Sequence, residues 1–487
     1  MLKEDGFIIF IILPYILYGQ WGQDTRLTFN PDSSILTSEN SYCLSGQRDT
    51  IHIIWWDRRD GNWEIYYKRS TDQGMTWESD IRLTSTFGKS QNASIASLGN
   101  YVHIVWEEES TATIHYIRST NFGSSWLPET ILSLPGYHAY APSLAIYGDL
   151  VHVIWRDYVN RHLYYSRSTD KGNTWEPVIE PVASPISSEA CISASESSIN
   201  IVWHDFPFGT WIWHIYYLRS TNNGVTWDTV RIIHEGGYQR PIRKPRLWAK
   251  GDTIHLIWDE GDWIYYMRSI DNGNTWGSLQ MLSDFGVDSR SPYILAYDSL
   301  VFAVWHGYFD DTCGIFYRWS KNAGLSWQPE TTLTKSTGYT ICPYISSSLN
   351  KLHLIWQDDR DGNPEIYYKH CQLMEAISER IKSNVDNRLQ DRIINIYPIP
   401  GGTEIWVSYK VENRDKKIEI EVYDLNGKKI KSLVDEVKKP GNYIAIWQGK
   451  DERNSAVSSG LYFCILRTDG KFRCSKKILF LHQKGVQ

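Results

Sequence analysis

Short apolar runs that end in tryptophan recur along the first three quarters of the chain, and they predict β-strands. The first run is residues 51–55, Ile-His-Ile-Ile-Trp. Equivalent runs end at Trp106, Trp155, Trp203, Trp258, Trp305 and Trp356. After each comes a second aromatic segment of the Ile-Tyr-Tyr type, such as residues 64–67. Runs of this length between polar turns are typical of buried strands, so the pattern predicts a repeated antiparallel unit.

A second motif, Ser-x-Asp-x-Gly-x-x-Trp, follows all of these units except the last, first as residues 70–77. Each residue type suits a tight turn: Asp accepts hydrogen bonds from backbone N–H groups, Gly allows a positive φ, and Trp packs beneath. Asn replaces Asp at Asn121, Asn222 and Asn322 and keeps the acceptor. The copies are about fifty residues apart, the length of a four-stranded propeller blade.

The seventh unit lacks both this motif and an outer strand, and the N-terminus supplies a matching segment. Residues 25–28, Thr-Arg-Leu-Thr, resemble the outer strand at residues 81–84. We therefore expect the N-terminal strand to complete the last blade and close the ring. The predicted fold of residues 20–371 is an all-β, seven-bladed β-propeller, with six blades as the alternative.

The repeat ends after Cys371, and the composition changes. Residues 372–391 are polar and predict a linker, whereas residues 392–482 alternate apolar strands with Asn-Gly and Asp-Gly turns. This pattern predicts a small Ig-like β-sandwich. Cys464 and Cys474 flank one such turn, so we expect them to be cross-strand neighbours.

The N-terminus predicts export. An apolar run at residues 7–17 follows Lys3 and precedes Gly19, which indicates a signal peptide of residues 1–19; a buried first strand is the alternative. No later segment has the length and apolarity of a membrane span. The net charge of −6 gives no support to a nucleic-acid partner. The cysteines and histidines match no metal spacing and no phosphate-binding glycine loop occurs, so we expect no cofactor and no metal.

The turn motif is similar to the BNR/Asp-box repeats of the sialidase-like propeller superfamily. That resemblance implies ligand binding on the face opposite the boxes, where the loops between the second and third strands (B–C) and between blades (D–A) lie. Sialidases hold a carboxylate with three arginines, and the Arg-Ile-Pro motif that usually carries the first is missing here. The resemblance implies a glycan-recognising propeller; an exo-α-sialidase or other glycoside hydrolase, and a protein-binding adhesion propeller, are alternatives.

The C-terminal region resembles the Ig-like sorting modules of type IX secretion and the similar module of flagellar hook-capping proteins. The matching segments are Tyr397-Pro398, Val422-Tyr423-Asp424 with Gly427, and Ser459-Gly460. The resemblance implies bacterial-type export, contact with secretion machinery, and a secreted or cell-surface location.

Comparison of equivalent positions identifies candidate ligand-binding arginines. Fifteen residues before each strand tryptophan, two neighbouring units carry Arg243 and Arg290, and Arg246 follows three residues after the first of them. Guanidinium groups converging near the channel mouth suit a carboxylate or sulfate. The alternative is that both arginines pair with nearby carboxylates or solvent.

Two residues after each strand tryptophan, six of the seven units carry a carboxylate. Its recurrence favours a turn-capping role, with recruitment of Asp57 or Asp358 as a general acid as the alternative. The sixth unit breaks the rule at residues 306–308, where His306 is a candidate ligand contact and Tyr308 a candidate nucleophile. Trp56 and Trp211 lie in or beside B–C loops and suit stacking on sugar rings; packing between blades is the alternative.

Overall fold

The computed structural model describes residues 21–37, 41–134, 136, 138–182, 190–206, 210–284, 288–297, 299–309, 312–349, 351–372, 392–398, 405–411, 414–424 and 427–480. The chain forms two compact units, Met1–Glu375 and Ala376–Gln487. The predicted signal peptide and residues 373–391 of the predicted linker lie outside the described residues. All regular elements of the described ranges are strands, which confirms the all-β prediction. None of these ranges holds a helix with the length and apolarity needed to cross a membrane.

The described strands of unit 1 fall into seven sheets, called blades one to seven here. The N-terminal strand β1 (Thr25–Arg26) belongs to blade seven. Blade one holds β2 (Ser34–Ile35), β3 (Leu44–Gln47), β4 (Thr50–Asp57), β5 (Glu64–Ser70) and β6 (Ile81–Arg82). Blade two holds β7 (Ser90–Leu98), β8 (Tyr101–Glu108), β9 (Thr113–Ser119) and β10 (Thr130–Ile131), and blade three holds β11 (Ala139–Tyr147), β12 (Leu150–Asp157) and β13 (Leu163–Ser168).

Blade four holds β14 (Cys191–Ser195), β15 (Ser198–Asp205), β16 (Ile212–Ser220) and β17 (Arg231–Tyr238). Blade five holds β18 (Ile242–Lys250), β19 (Thr253–Glu260), β20 (Trp263–Ser269) and β21 (Gln280–Met281). Blade six holds β22 (Asp288–Tyr297), β23 (Leu300–Phe309), β24 (Thr312–Ser320) and β25 (Thr331–Ser336). Blade seven adds β26 (Ile341–Ser348), β27 (Lys351–Asp358) and β28 (Glu365–Gln372) to β1.

The innermost strands contact one another in cyclic order. The order is β3, β7, β11, β14, β18, β22 and β26, and β26 contacts β3 again. Strand β1 pairs with β28 and places Thr25 opposite Tyr368, so the N-terminal strand completes the last blade as expected. The predicted count of seven blades is supported by this order of contacts and stays a prediction.

The turn motifs join each blade to the one before it. In the first box, Ser70 Oγ accepts a hydrogen bond from the Gly74 backbone N–H at 2.8 Å, and Asp72 Oδ1 accepts one from Thr76 at 2.9 Å. In the second box, the Trp126 ring packs edge-on against Tyr67 of the preceding blade at 5.0 Å between centroids. The boxes therefore have a structural role, as their residue types predict: each forms a hydrogen-bonded turn, and its tryptophan packs against the preceding blade.

Blade seven has no box, and the N-terminus also supplies its missing tryptophan. Trp21 packs edge-on against Tyr317 of blade six, with ring centroids 5.6 Å apart at 81°. Tyr317 is the blade-six counterpart of Tyr67. The N-terminal segment thus replaces both an outer strand and a box tryptophan.

The centre of the ring is filled by a layer of side chains from the innermost strands. Arg246 is 5% exposed, donates to the Ser41 carbonyl oxygen at 2.7 Å, and lies 5.7–5.9 Å from the ring centres of Tyr42, Tyr293 and Tyr344. These residues come from blades one, five, six and seven. We call this layer the channel plug.

Unit 2 is built from two antiparallel sheets. One contains β29 (Arg392–Pro398), β30 (Ile405–Val411) and β33 (Gly441–Trp447); the other contains β31 (Lys416–Tyr423), β32 (Lys429–Lys438), β34 (Gly460–Thr468) and β35 (Lys471–Phe480). Their shared core includes Val407 and Trp447. Cys464 lies opposite Lys476 and Cys474 lies opposite Leu466, so the expectation that the two cysteines are direct cross-strand neighbours is wrong.

Candidate functional site

The first strand of each of five blades carries a β-bulge where it enters the ring at the loop face. In each, a residue other than glycine takes a positive φ between 48° and 54°, and these residues are Asn92, Ala141, Lys244, Ser291 and Cys342. The register of pairing shifts at each of these positions. Bulges re-aim side chains, and sparsely populated backbone conformations of this kind cluster at functional sites.

The side chains directly after the strand tryptophans form a second part of the channel mouth. They vary from blade to blade, with histidine the single type that occurs twice: Trp56, Glu107, Arg156, His204, Asp259, His306 and Gln357. Because side chains alternate along a strand, they point to the face opposite that of the next residue. Asp259 lies opposite Arg243, and His306 lies opposite Arg290, across the first strand pair of their blades.

Arg243 and Lys244 form a positively charged cluster at the entrance to blade five. Arg243 is half-buried and makes no hydrogen bond or ion pair with any residue that the structure describes. Lys244 donates to Ser291 Oγ at 3.2 Å, in the neighbouring bulge of blade six. The guanidinium donors of Arg243 are therefore available to a ligand.

The guanidinium group of Arg290, unlike that of Arg243, is already bonded to neighbouring residues. Its NH2 group donates to Asp262 at 2.8 Å and lies 2.9 Å from Asp288 Oδ1, and NH1 donates to the Gly261 carbonyl oxygen. The alternative considered from sequence, pairing with nearby carboxylates, holds for this arginine. The expectation that Arg246 adds a third donor fails too, because the bulge between Arg243 and Arg246 turns Arg246 into the channel plug.

Asp259 is a buried carboxyl group beside this cluster. Its side chain is 1% exposed; Oδ2 accepts a hydrogen bond from the Ser291 backbone N–H at 3.1 Å, and Oδ1 has no partner among the described residues. Burial raises the pKa of Asp259 to about 6, although the charges of Arg290, Lys244 and Arg243 act to lower it. A carboxyl group in this range exchanges its proton near neutral pH.

Two histidines flank Asp259 in the neighbouring blades: His204 is half-buried and His306 is buried. Burial lowers the pKa of both His204 and His306 to about 3, and the charge of Lys244 acts on each in the same direction. Both imidazoles are therefore neutral at physiological pH. His306 Nδ1 has no partner among the described residues, and the ring packs edge-on against Tyr308 at 5.6 Å.

Two of the carboxylates that lie two residues after the strand tryptophans, Asp57 and Asp358, hold their own loops together. Asp57 is fully buried and accepts hydrogen bonds from Trp55 Nε1 at 2.9 Å and from the Arg59 backbone N–H at 2.9 Å. Asp358 is also fully buried and accepts one from the Arg360 backbone N–H at 2.9 Å. Despite burial, hydrogen bonds, chiefly those from the arginines, hold the pKa of each carboxyl below its usual value. Groups that stay ionised and fully bonded do not suit the general-acid role considered for them.

The other candidates occupy different settings. Burial raises the pKa of Tyr308 to about 12, which disfavours the phenolate that a nucleophile requires.

Trp56 is half-buried and packs against Trp63, with ring centroids 5.0 Å apart. Trp211 is 64% exposed at the loop face of blade four, as a stacking residue requires. The described residues hold no cluster of His, Cys, Asp or Glu suited to a metal ion.

The residues that sequence comparison missed are Lys244, Asp259 and His204. Asp259 and His204 lie directly after a strand tryptophan, and Lys244 lies directly after Arg243. A signal for Asp259 and His204 was available, because six residue types occupy the position directly after the tryptophan in the seven units, whereas the following position is almost always a carboxylate.

Two family models match parts of the chain. Residues 17–205, in unit 1, match the BNR repeat-like domain family, and residues 395–480, in unit 2, match the secretion system C-terminal sorting domain family. The chain therefore carries a BNR repeat-like domain and a C-terminal sorting domain within these ranges. The sorting domain points to export and to a secreted or cell-surface location. Among curated proteins, none matches the chain in sequence.

Solved structures of carbohydrate-active proteins are similar to this chain to different degrees. A polysaccharide lyase of family PL25, an ulvan lyase, superposes with a TM-score of 0.54 at 11% identity, covering 72% of this chain and 96% of the lyase. The phage phi92 endosialidase has a TM-score of 0.46 at 10% identity, over 96% of this chain and 88% of the endosialidase. A Hadza microbial sialidase has a TM-score of 0.38 at 13% identity, over 66% of this chain and 73% of the sialidase. The likeness to the lyase establishes the fold of unit 1.

Proposed function

We propose that the BNR repeat-like propeller binds an anionic glycan at the channel mouth, with Arg243 and Lys244 as the contacts to a carboxylate or sulfate. The observation that carries the proposal is the Arg243 guanidinium, which is half-buried and has no partner among the described residues. A guanidinium group recognises planar anions through paired hydrogen bonds. Lys244 adds a second charge from the adjacent bulge position.

Exposed aromatic rings at the same face supply the apolar part of a sugar site. Trp211 and Tyr238 are 64% and 65% exposed, and Phe206 packs against Trp213 at 4.7 Å. Flat rings that remain open to solvent suit the apolar faces of sugars. The shared fold with a polysaccharide lyase agrees with a carbohydrate ligand.

Catalysis at the same mouth is the second candidate function, and Asp259 is the observation that favours it. Its unpartnered Oδ1 and its pKa of about 6 are the properties of a general acid or base. An exo-sialidase or another glycoside hydrolase would use it to protonate the leaving oxygen. An Asp259→Asn variant that still binds ligand but has lost turnover would support this role.

The experiment uses the full mature chain and compares Arg243→Ala with Arg290→Ala. We expect Arg243→Ala to weaken binding of sialyllactose or an oligogalacturonide by about ten- to hundredfold, because it removes charged hydrogen bonds. Arg290→Ala is the matched control and should change affinity less than about threefold, since its donors are engaged by Asp262 and Asp288. Titration calorimetry gives the affinities, and a fluorogenic sialoside tests turnover. Equal losses in both variants, or none in either, would contradict the proposed site, and absence of glycan binding would favour the adhesion alternative.

A further inference from the structure

A pocket opens at the channel mouth between blades two and three. Its volume is about 320 Å³, at the lower end of the range for small-molecule sites. Its walls include Glu107, His138, Tyr140 and Tyr158. We call it the blade-two pocket.

The charge of this pocket is opposite to that of the Arg243 cluster. Glu107 accepts hydrogen bonds from Gln91 Nε2 at 3.0 Å and Asn92 Nδ2 at 2.9 Å, and it forms no ion pair with any residue that the structure describes. Glu109 at the rim is paired with Lys89 at 2.9 Å. An uncompensated carboxylate favours a ligand rich in hydrogen-bond donors and repels a second anion.

One wall of the pocket is aromatic. Tyr158 is 72% exposed and lies edge-on to Tyr140, with ring centroids 5.8 Å apart. An exposed ring beside carboxylate and amide groups combines a stacking surface with polar groups, as sugar recognition requires.

The pocket continues along the mouth to the cationic cluster. The Arg156 guanidinium lies over the Tyr140 ring at 5.4 Å. Arg156 lies in blade three, and Arg243 and Lys244 lie in blade five. In the cyclic order of the blades, blade four therefore lies between the blade-two pocket and the Arg243 cluster.

We propose that the blade-two pocket is a subsite for a neutral or amino sugar, and that the ligand of the propeller is a glycan that contains both such a sugar and an anionic one. This inference rests on the proposed function, because the Arg243 cluster holds the anionic sugar. A glycan with a carboxylate on every sugar would place one of them beside the Glu107 carboxylate, and the two charges would repel each other. A glycan in which anionic and uncharged sugars alternate would place hydroxyl or amide donors there instead.

The test compares two hexasaccharides on the full mature chain by titration calorimetry. One is a hyaluronan fragment, in which uronate alternates with N-acetylglucosamine, and the other is an oligogalacturonide, with a carboxylate on every sugar. We expect the hyaluronan fragment to bind at least about tenfold more tightly. Glu107→Gln should tighten binding of the oligogalacturonide about five- to tenfold and leave the hyaluronan fragment within about twofold.

Two further variants separate this inference from the proposed function. Tyr158→Ala changes an exposed side chain and should weaken binding of the hyaluronan fragment about tenfold through lost stacking. Glu176→Gln is the control, because Glu176 pairs with Arg167 at the box face. If Arg243→Ala abolishes binding but Glu107→Gln and Tyr158→Ala change nothing, the pocket is not a subsite, while the anion site stands. If the oligogalacturonide binds more tightly to the natural chain, the subsite is also refuted. If neither hexasaccharide binds but sialyllactose does, this inference fails and the proposed function stands; if none of the three binds, both fail.

Discussion

The packing between blades predicts that one box glycine is far more sensitive to substitution than another glycine of similar backbone conformation. Gly172, in the box of blade three, has φ +77°, and a Cβ atom there would lie 1.8 Å from the Tyr116 hydroxyl oxygen of blade two. Gly148 has φ +59°, with no atom within 4 Å of such a Cβ. At both positions alanine would have to adopt an unfavourable positive φ, but only Gly172→Ala also displaces a neighbouring side chain.

The expected difference follows from what Tyr116 would lose. Its hydroxyl is hydrogen-bonded to His103 Nδ1 at 2.7 Å, and its ring packs edge-on against Trp175 at 4.9 Å. The positive φ costs alanine about 1 kcal/mol at either position. Loss of the hydrogen bond adds about 1 kcal/mol and loss of the aromatic contact about 1 kcal/mol. We expect Gly172→Ala to lower the free energy of unfolding by about 3 kcal/mol and Gly148→Ala by about 1 kcal/mol.

Urea unfolding of the full chain followed by tryptophan fluorescence measures this difference. Of the 23 tryptophans, all except Trp406 and Trp447 lie in unit 1, so the signal reports the propeller. Tyr116→Phe removes the hydroxyl oxygen, and combined with Gly172→Ala it should recover part of the loss. A coupling of at least about 1 kcal/mol in the double-mutant cycle is expected. If Gly172→Ala costs no more than Gly148→Ala, the contact between blades does not stabilise the propeller and the reasoning is refuted.

Two other predictions concern the N-terminal segment and the buried carboxyl group. Trp21→Ala should lower the free energy of unfolding by about 1–2 kcal/mol, because Trp21 takes the place of a box tryptophan against Tyr317. Faster hydrogen exchange confined to β1 and β28 would show the effect, and unchanged exchange would contradict it. Asp259→Asn should stabilise the protein above pH 6 by about 1–3 kcal/mol, because a carboxyl whose folded pKa is raised destabilises the fold once it ionises. The advantage of the variant should appear as pH rises from about 4 to 6; a difference independent of pH would exclude titration of Asp259 as its cause.

Much of the fold was predictable because each blade uses the same strands and turns. The strand tryptophans and the Ser-x-Asp-x-Gly-x-x-Trp turns occur at nearly fixed spacing, so the strands assigned in one unit can be assigned in all the others. The missing seventh box pointed directly to the N-terminal strand, and Thr25 does pair with Tyr368. The replacement of the box tryptophan by Trp21 was not predictable, since no motif surrounds Trp21 and only the packing against Tyr317 identifies it.

Only part of the candidate site was predictable from the sequence. The reason is that some positions of a repeat carry the same residue type in nearly every blade, whereas others vary between blades. A residue that recurs in nearly every blade performs the task that every blade shares, as Asp57 and Asp358 do when they bind the arginine backbone N–H groups of their loops. The preceding position along the strand faces the other way and differs between most blades, and Asp259 and His306 lie there. The bulge at Lys244 adds a local change of direction that no glycine marks in the sequence. In a propeller of this kind, candidate ligand contacts are therefore to be sought at the positions that vary between blades, since the repeated residues are already engaged in the scaffold.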